Sequence, residues 1–348
     1  MWLNLARFKY QRPEVQLINT TSFIARGVYS ICLSALFYGK LAARIESVVR
    51  WLVDPNQFWK KLDARWFQII FLASFLAFGA LARDFALTPL QVALTFVSAL
   101  ATQAAWQFAL QLPNRARWGG YLSALVSAFG ISILVRSDNA WVHPLVACLA
   151  MSSKYLVRIG PQGAKNHVLN PANFAAFVAW AWLPGAWLSP GQWGAHSMAA
   201  LWFLALGGLV TQRISRWDVS CTFLGAWAVL LAARLVWLDY AWNPGANIWV
   251  QQMSNGAVLL FAFFMISDPM TTPQRRDVRI AYAVAVALGA FVWQFLMFKP
   301  HGLIVMLFVA SFTVPLWNRI WPQTRFEWQM GGRTDRPTHV AAGGSVIL

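Results

Sequence analysis

Ten long apolar segments, each close to the length of a membrane span, constrain the fold of this chain more than any other feature. A bilayer core of about 30 Å needs about 20 helical residues to cross it. Only 11% of the 348 residues are charged, against about 25% in soluble domains. The sequence therefore predicts an all-α polytopic membrane protein. The predicted spans are 68–82, 89–112, 118–135, 140–156, 167–187, 194–211, 217–237, 248–267, 280–298 and 303–321.

The loops between these segments differ in their content of Lys and Arg. Loops 113–117, 154–166, 212–216 and 274–279 carry two or three basic residues each, whereas the intervening loops carry one or none. Cytoplasmic loops of membrane proteins are enriched in Lys and Arg. The alternation predicts ten spans with both termini in the cytoplasm.

Ten spans divide into two sets of five, and an odd-numbered repeat gives two halves of opposite topology. The count thus favours two inverted five-helix halves within a membrane domain at 68–322. Residues 1–67 are predicted to form a basic N-terminal segment with an interfacial amphipathic helix near 41–51. The polar, Gly-rich tail at 323–348 is predicted to be disordered and cytoplasmic.

The net charge of +16 would suggest nucleic acid as a partner for a soluble protein. Here the basic residues lie between apolar segments, so anionic membrane lipids explain them better and no nucleic-acid partner is expected. The three cysteines lie far apart in the sequence, with no C-x-x-C pair. They indicate neither a disulfide framework nor an iron–sulfur site, and no metal site is predicted.

The first polar cluster follows the apolar run GAVLLFAFFMI at 256–266 and reads Ser267-Asp268-Pro269-Met270-Thr271-Thr272-Pro273. Its two prolines should end a hydrophobic helix. Asp268 would then lie at a helix C-terminus, where the negative end of the macrodipole disfavours a carboxylate. A cation or ligand could offset this cost. Alternatively, Asp268 is a solvated residue at the membrane surface.

The second cluster, His167-Val168-Leu169-Asn170-Pro171-Ala172-Asn173, lies at the start of the fifth predicted span. Asn170 and Asn173 are one helical turn apart on the same face. Broken, polar helices at membrane depth occur where they line a cavity or are buried in protein. This pattern fits a half-helix whose N-terminus faces a ligand, but it also fits an ordinary loop followed by a capped helix.

Further polar residues inside the spans have structural explanations. Gln103 and Gln107 share one face of the second span, and Gln252 and Asn255 lie in the eighth. Interhelical hydrogen bonds account for such pairs. Haem ligation by His143 and His167 is disfavoured, because no spacing pairs them on one helix.

Together, the two clusters resemble the RnfD/NqrB family of membrane subunits of electron-transport complexes. The strings that carry the resemblance are S-K-Y-L, H-V-L-N-P-A-N-F and F-F-M-I-S-D-P-M-T-T-P, and it covers roughly residues 65–322. The single-gene relatives found in enediyne biosynthesis clusters look closer still. The resemblance implies a urea-transporter-like fold, a bacterial cytoplasmic (inner) membrane location, flavin chemistry and other redox subunits as partners.

In complex-bound members of this family, a threonine in an S-G-A-T type motif carries FMN covalently. This chain contains no S-G-A-T string, and Gln162-Gly163-Ala164-Lys165 is the nearest local string. We therefore expect a non-covalent flavin, riboflavin or FMN. The attachment role does not transfer to Thr271 or Thr272.

The sequence thus favours a membrane electron-transport component that binds flavin, without assigned catalytic residues. The alternative is a transporter or channel for a small polar solute on the same scaffold, and an accessory role in assembly is also open. In the first model, the two asparagines would hydrogen-bond a planar ring, while the threonines and Asp268 would serve polar groups or a cation. The predicted cofactor-binding residues are His167, Asn170, Asn173, Ser267, Asp268, Thr271 and Thr272.

Overall fold

The computed structural model describes residues 63–82, 86–159, 166–189, 197–324 and Phe326. The predicted interfacial helix near 41–51 lies outside these residues, as does the tail from 327 to 348. Described residues that belong to the predicted spans are mostly helical.

Five helices occupy the first half of the described chain. The second of them begins with a capping box, in which Thr88 and Gln91 exchange side-chain and backbone hydrogen bonds. The five helices are α1 (Ala64–Ala82), α2 (Pro89–Ala109), α3 (Asn114–Leu134), α4 (Val142–Leu156) and α5 (Pro171–Trp182).

The second half contains shorter and more irregular helices. Two of them continue into a π-helical turn, at Phe261–Met265 and at Val292–Leu296. π-helical turns are rare and are frequent at functional sites. The helices are α6 (Ser197–Arg213), α7 (Trp217–Trp237), α8 (Trp242–Met253), α9 (Gly256–Leu260), α10 (Arg276–Phe291), α11 (Gly302–Ser311) and α12 (Val314–Ile320).

Four helices of the described chain are long and apolar enough to cross a membrane, and the number rises to six if each bent pair counts as one span. The four segments are Ala64–Leu81, Pro89–Ala109, Trp217–Trp237 and Arg276–Leu296. This supports a multi-pass membrane protein. The count of ten spans stays a prediction.

Two predicted spans are not continuous helices. The eighth, 248–267, is broken between α8 and α9, which meet at an angle of 43°. The break occurs where the Asn255 side chain accepts a hydrogen bond from the Ala257 amide and so caps a new helix. The tenth, 303–321, is divided between α11 and α12 at an angle of 44°. In the fifth, only the 12 residues of α5 are helical.

The prediction of an all-α fold misses two small antiparallel sheets. Strand β1 (Val135–Ser137) pairs with β4 (Ala186–Leu188). Strand β2 (Arg158–Ile159) pairs with β3 (Asn166–His167), which places the end of α4 close to the beginning of α5. The second pairing matters for the site, because it joins the two elements that carry Lys154 and Asn170.

Helix α2 buries its polar face and exposes its apolar one. Gln91, Thr95, Gln103 and Gln107 are all buried, at intervals of four residues or a multiple of four. Phe108, by contrast, is 83% exposed. Apolar side chains on the outside and hydrogen-bonded polar ones on the inside are expected of a helix in lipid. The interpretation of Gln103 as an interhelical hydrogen-bonding residue is confirmed by its contacts with α4.

The helices of the two halves make corresponding contacts. In the first half, α1 packs on α3, α2 on α4, and α4 on α5. In the second half, α6 packs on α9, α7 on α10, and α10 on α11. Helix α5 also packs on α11, and this contact brings the start of α5 beside elements of the second half.

Candidate functional site

The two polar clusters identified in the sequence meet in space. The Asn170 side-chain amide donates a hydrogen bond of 3.2 Å to the Asp268 carboxylate, across a separation of 98 residues in the chain. Each residue lies at a helix end: Asn170 is the N-cap of α5, and Asp268 follows the π turn after α9. A cluster from each half of the chain thus contributes to one polar site.

The start of α5 is both a capped helix and a link between the halves. The Asn170 side-chain oxygen accepts a hydrogen bond of 3.1 Å from the Asn173 backbone amide, and Pro171 occupies the first turn. The Asn173 side-chain amide donates to the Ile304 carbonyl of α11 at 3.2 Å. The Asn173 side-chain oxygen is buried and has no hydrogen-bond partner within the described residues. An unpaired buried acceptor of this kind is costly and can serve a ligand.

The segment after the π turn is tightly hydrogen-bonded to its own backbone. The Ser267 hydroxyl donates to the Phe263 carbonyl at 2.6 Å, and the Thr272 hydroxyl donates to the Asp268 carbonyl at 2.9 Å. Both hydroxyls therefore have a local structural role. The Thr271 hydroxyl is buried without a regular hydrogen-bond partner among the described residues. Of the three, Thr271 has the hydrogen-bonding capacity left for a ligand.

Asp268 is held by neutral donors. In addition to Asn170, the Met270 amide donates to its carboxylate at 3.0 Å. Within the described part of the chain, no Lys or Arg nitrogen lies within 4.0 Å of it. Burial raises the pKa of the Asp268 carboxyl above its ordinary value, although these hydrogen bonds, the nearby Thr271 hydroxyl and the charge of Lys154 oppose the rise. The helix dipole adds to the cost of the charged form.

Lys154 is a residue of the site region that the sequence motifs do not single out. It lies in the last turn of α4 and is only 6% exposed. Its ammonium group donates to the side chains of Gln103 at 3.3 Å and Ser123 at 3.1 Å. An ionisable residue inside a span is a functional candidate in its own right. The signal was present, because Lys154 falls within the predicted span 140–156.

His167 lies in β3, opposite Arg158 of β2, and is partly buried. Its ring interacts electrostatically with Lys154 and Arg158. Its side chain makes no hydrogen bond within the described residues to Asn170 or Asp268. The structure thus places His167 beside Lys154 rather than against the carboxylate.

Gln274, a second residue outside the sequence motifs, organises the segment after Asp268. Its side-chain amide donates to the carbonyls of Pro269 at 3.1 Å and Thr272 at 3.2 Å. Its side-chain oxygen accepts from the Arg216 guanidinium at 2.9 Å and from the Phe326 amide at 3.1 Å. All four contacts use the full capacity of one primary amide. The loop that carries Asp268 and Thr271 is therefore rigidly positioned.

A buried ion pair supports this arrangement. The Arg279 guanidinium binds the Asp218 carboxylate at 2.6 Å and donates to the Gln274 carbonyl at 2.5 Å. Asp218 lies in the first turn of α7, where the positive end of the helix dipole favours a carboxylate.

His143, the other histidine considered for haem, is separate from the site. It is fully buried, and its Nδ1 lies 3.2 Å from the Thr95 hydroxyl. Thr95 donates its own proton to the Gln91 carbonyl at 2.8 Å. His143 Nδ1 must therefore carry the proton that completes the contact. This fits a structural residue between α2 and α4.

Comparisons with known proteins place the two clusters in one family. The model of the NQR2, RnfD, RnfE family matches residues 59–327. Two relatives are named as the RnfD component of an ion-translocating oxidoreductase complex. The one from Escherichia coli O6:H1 is 31% identical over 144 residues, which is 40% of this chain and 35% of the relative. The one from Escherichia fergusonii is 31% identical over 143 residues, with the same two shares.

The matched region spans about a third of the length of these curated relatives. The family model, in contrast, covers well over half of this chain and includes Asn170, Lys154 and Asp268. The site described above therefore lies wholly within the region that defines the family. The chain belongs to the NQR2, RnfD, RnfE family.

Proposed function

We propose that this protein is an integral membrane subunit of an ion-translocating electron-transport complex, and that its central site binds a flavin non-covalently. Family membership and the name of the relatives support the first part. The observation that carries the second is the hydrogen bond between Asn170 and Asp268, which joins two distant polar clusters into one site. Other redox subunits and anionic lipids are its proposed partners.

In this proposal the membrane domain consists of two inverted five-helix halves in a urea-transporter-like arrangement, with both termini on the cytoplasmic side of a bacterial inner membrane. The repeated contact pattern supports the two halves, since α2–α4 and α4–α5 correspond to α7–α10 and α10–α11. The site then lies where α5 of the first half meets the Asp268 loop of the second. Inverted-repeat membrane proteins place binding sites at the interface of their repeats.

The residues of the site fit the polar edge of a flavin ring. That edge presents an N–H donor between two carbonyl acceptors, so it needs both an acceptor and a donor from the protein. Among the described residues, the unpaired Asn173 oxygen supplies an acceptor and the unpaired Thr271 hydroxyl supplies a donor. A bound flavin would supply one- and two-electron redox chemistry.

The remaining site residues position these groups. Asn170 fixes both the start of α5 and the Asp268 carboxylate. Gln274 fixes the loop that presents Thr271. Sites supported by hydrogen bonds of this kind are rigid, and a rigid site binds with little loss of conformational entropy.

A transporter or channel for a small polar solute is the rival function. One observation favours it: Asp268 is a carboxylate without an ion-pair partner among the described residues, at a break in a membrane helix. Such groups mark solute or ion pathways in transporters. The two functions differ in whether the purified protein carries a chromophore.

The visible absorption spectrum of the full-length protein, purified in mild detergent with riboflavin present during extraction, tests the proposal. We expect the absorption bands of oxidised flavin, and release of the flavin on acid denaturation. A denaturing gel under ultraviolet light should show no fluorescent band, because the S-G-A-T string is missing. A colourless protein that also fails to take up added riboflavin or FMN would overturn flavin binding and favour the solute-transport function.

A further inference from the structure

The Lys154 side chain combines deep burial with incomplete charge compensation. Its ammonium group is hydrogen-bonded to the neutral side chains of Gln103 and Ser123. No carboxylate of the described residues lies within 4.0 Å of it. Removing an ammonium ion from water costs several kcal/mol unless a counter-charge offsets it. A site that retains such a group is poised to receive negative charge.

The surroundings of Lys154 hold it firmly in place. Gln103 accepts from Lys154 and donates to the Tyr155 hydroxyl, so both ends of its amide are used. A Cβ atom at Gly120 would overlap the Gln103 amide. The absence of a side chain at Gly120 therefore lets α3 approach α2 closely enough to confine Gln103 beside Lys154.

Lys154 also belongs to the same neighbourhood as the flavin site. Residue Val157, one turn after it, accepts a backbone hydrogen bond of 3.1 Å from Val168, which precedes the α5 cap. The charges of Lys154 and Asp268 interact. Arg158 and His167 lie on the same side of the site, and Arg158 adds a further positive charge. The local field at this end of the site is thus positive.

We infer that Lys154 is the residue that sets the redox potential of the bound flavin, by stabilising the negative charge that the ring gains on reduction. The inference rests on the proposed function, since it assumes flavin at the site. Uptake of two electrons from an electron-carrying partner subunit and one proton from water converts the neutral oxidised ring into an anion. A fixed positive charge near the ring favours that anion and so raises the potential.

This role differs from a purely structural one in a measurable way. A lysine in the last turn of a helix is stabilised by the dipole, and its loss would weaken riboflavin binding in both redox states by the same factor. A lysine that stabilises the reduced ring must bind reduced riboflavin more tightly than oxidised riboflavin. The ratio of the two dissociation constants therefore isolates the effect of the charge.

The test is equilibrium dialysis of the full-length protein against riboflavin, once in air and once under anaerobic conditions with dithionite. The variants are K154M, which removes the charge and keeps the chain length, and K154R, which keeps the charge. K299M serves as the matched control, because Lys299 is exposed and lies against Trp293 outside the site.

We expect K154M to weaken binding of reduced riboflavin about ten-fold more than binding of oxidised riboflavin, within the usual range for coupled sites. K154R should keep most of the wild-type ratio, and K299M all of it. Equal weakening in both states, or no change, would overturn the inference while leaving the flavin site intact. A wild-type protein that binds riboflavin in neither state would instead overturn the proposed function, and the role of Lys154 with it.

Discussion

Asp218 and Asp268 both lie at the ends of membrane helices, yet their surroundings differ in almost every respect. Asp218 is in the first turn of α7, at the favourable end of the dipole, and it forms an ion pair of 2.6 Å with Arg279. Asp268 follows a helix C-terminus and accepts hydrogen bonds from the neutral Asn170 and Met270. The first carboxylate is fully compensated and the second is not.

This difference separates structural from functional charge. A buried carboxylate that serves the fold is expected to be saturated by cations and donors. One that serves a ligand must keep some of its capacity unsatisfied in the absence of that ligand, at a cost in stability. By this criterion Asp218 supports the loop, and Asp268 belongs to the binding site.

The largest effect should follow from removal of the structural charge. D218N leaves Arg279 buried without its counter-ion, and breaking a buried pair in this way costs about 3–5 kcal/mol. Thermal unfolding of the purified protein, followed by tryptophan fluorescence, should show a large fall in Tm. The matched control is D277N, because Asp277 forms an exposed ion pair with Arg275 at 2.8 Å. An unchanged Tm for D218N would remove the distinction between the two aspartates.

Variants of Asn170 should separate its two roles. N170L removes both the cap of α5 and the donor to Asp268, and loss of a cap costs about 1 kcal/mol. N170S keeps a good capping residue but lacks the amide that reaches the carboxylate. We expect N170L to lower Tm and riboflavin affinity, and N170S to lower affinity alone. Wild-type affinity in N170S would show that the contact with Asp268 serves folding only.

N173L should likewise lower riboflavin affinity, because the substitution removes the unpaired oxygen proposed to face the ring. It also removes one hydrogen bond to Ile304, which is worth about 1 kcal/mol. Tm should therefore fall slightly while insertion into the membrane is unaffected. Membrane yield and riboflavin dialysis on the same preparation measure both. Unchanged affinity would remove Asn173 from the site.

The smallest stability effect, and the most specific in pH, should come from Asp268. Its pKa in the folded protein is raised above the ordinary value of 3.8, so the folded state binds the proton more tightly than the unfolded state. Stability attributable to Asp268 must then fall as pH rises from about 3.8 through the raised pKa. The Tm difference between D268N and wild type should grow in favour of the variant across that window. A difference independent of pH would contradict the raised pKa.

The sequence predicted the helical segments, the membrane class and the two polar clusters, because composition and Pro-Asn spacing act locally. It missed the break at Asn255, since an asparagine within an apolar stretch reads equally well as a buried polar residue and as a new helix cap. It also missed the roles of Lys154 and Gln274. Their importance comes from contacts with residues far away in the chain, such as Gln103 and Arg216.

Asn170 and Asp268 illustrate what lies between these cases. Each was identified from its own helix-ending motif, but nothing local to either motif predicts that one donates to the other across 98 residues. Packing of α5 against α11 produces that contact. Local chemistry thus identified the candidate residues, and the tertiary structure determined which of them form one site.

The most direct test of the central claim is the riboflavin affinity of D268N at neutral pH, measured by dialysis on protein whose Tm is at or above that of wild type. If Asp268 is the uncompensated charge of a ligand site, affinity should fall at least about ten-fold, equivalent to about 1.4 kcal/mol, while the fold is unharmed. D268N that binds riboflavin as tightly as wild type would contradict the account and reduce Asp268 to a residue of the loop.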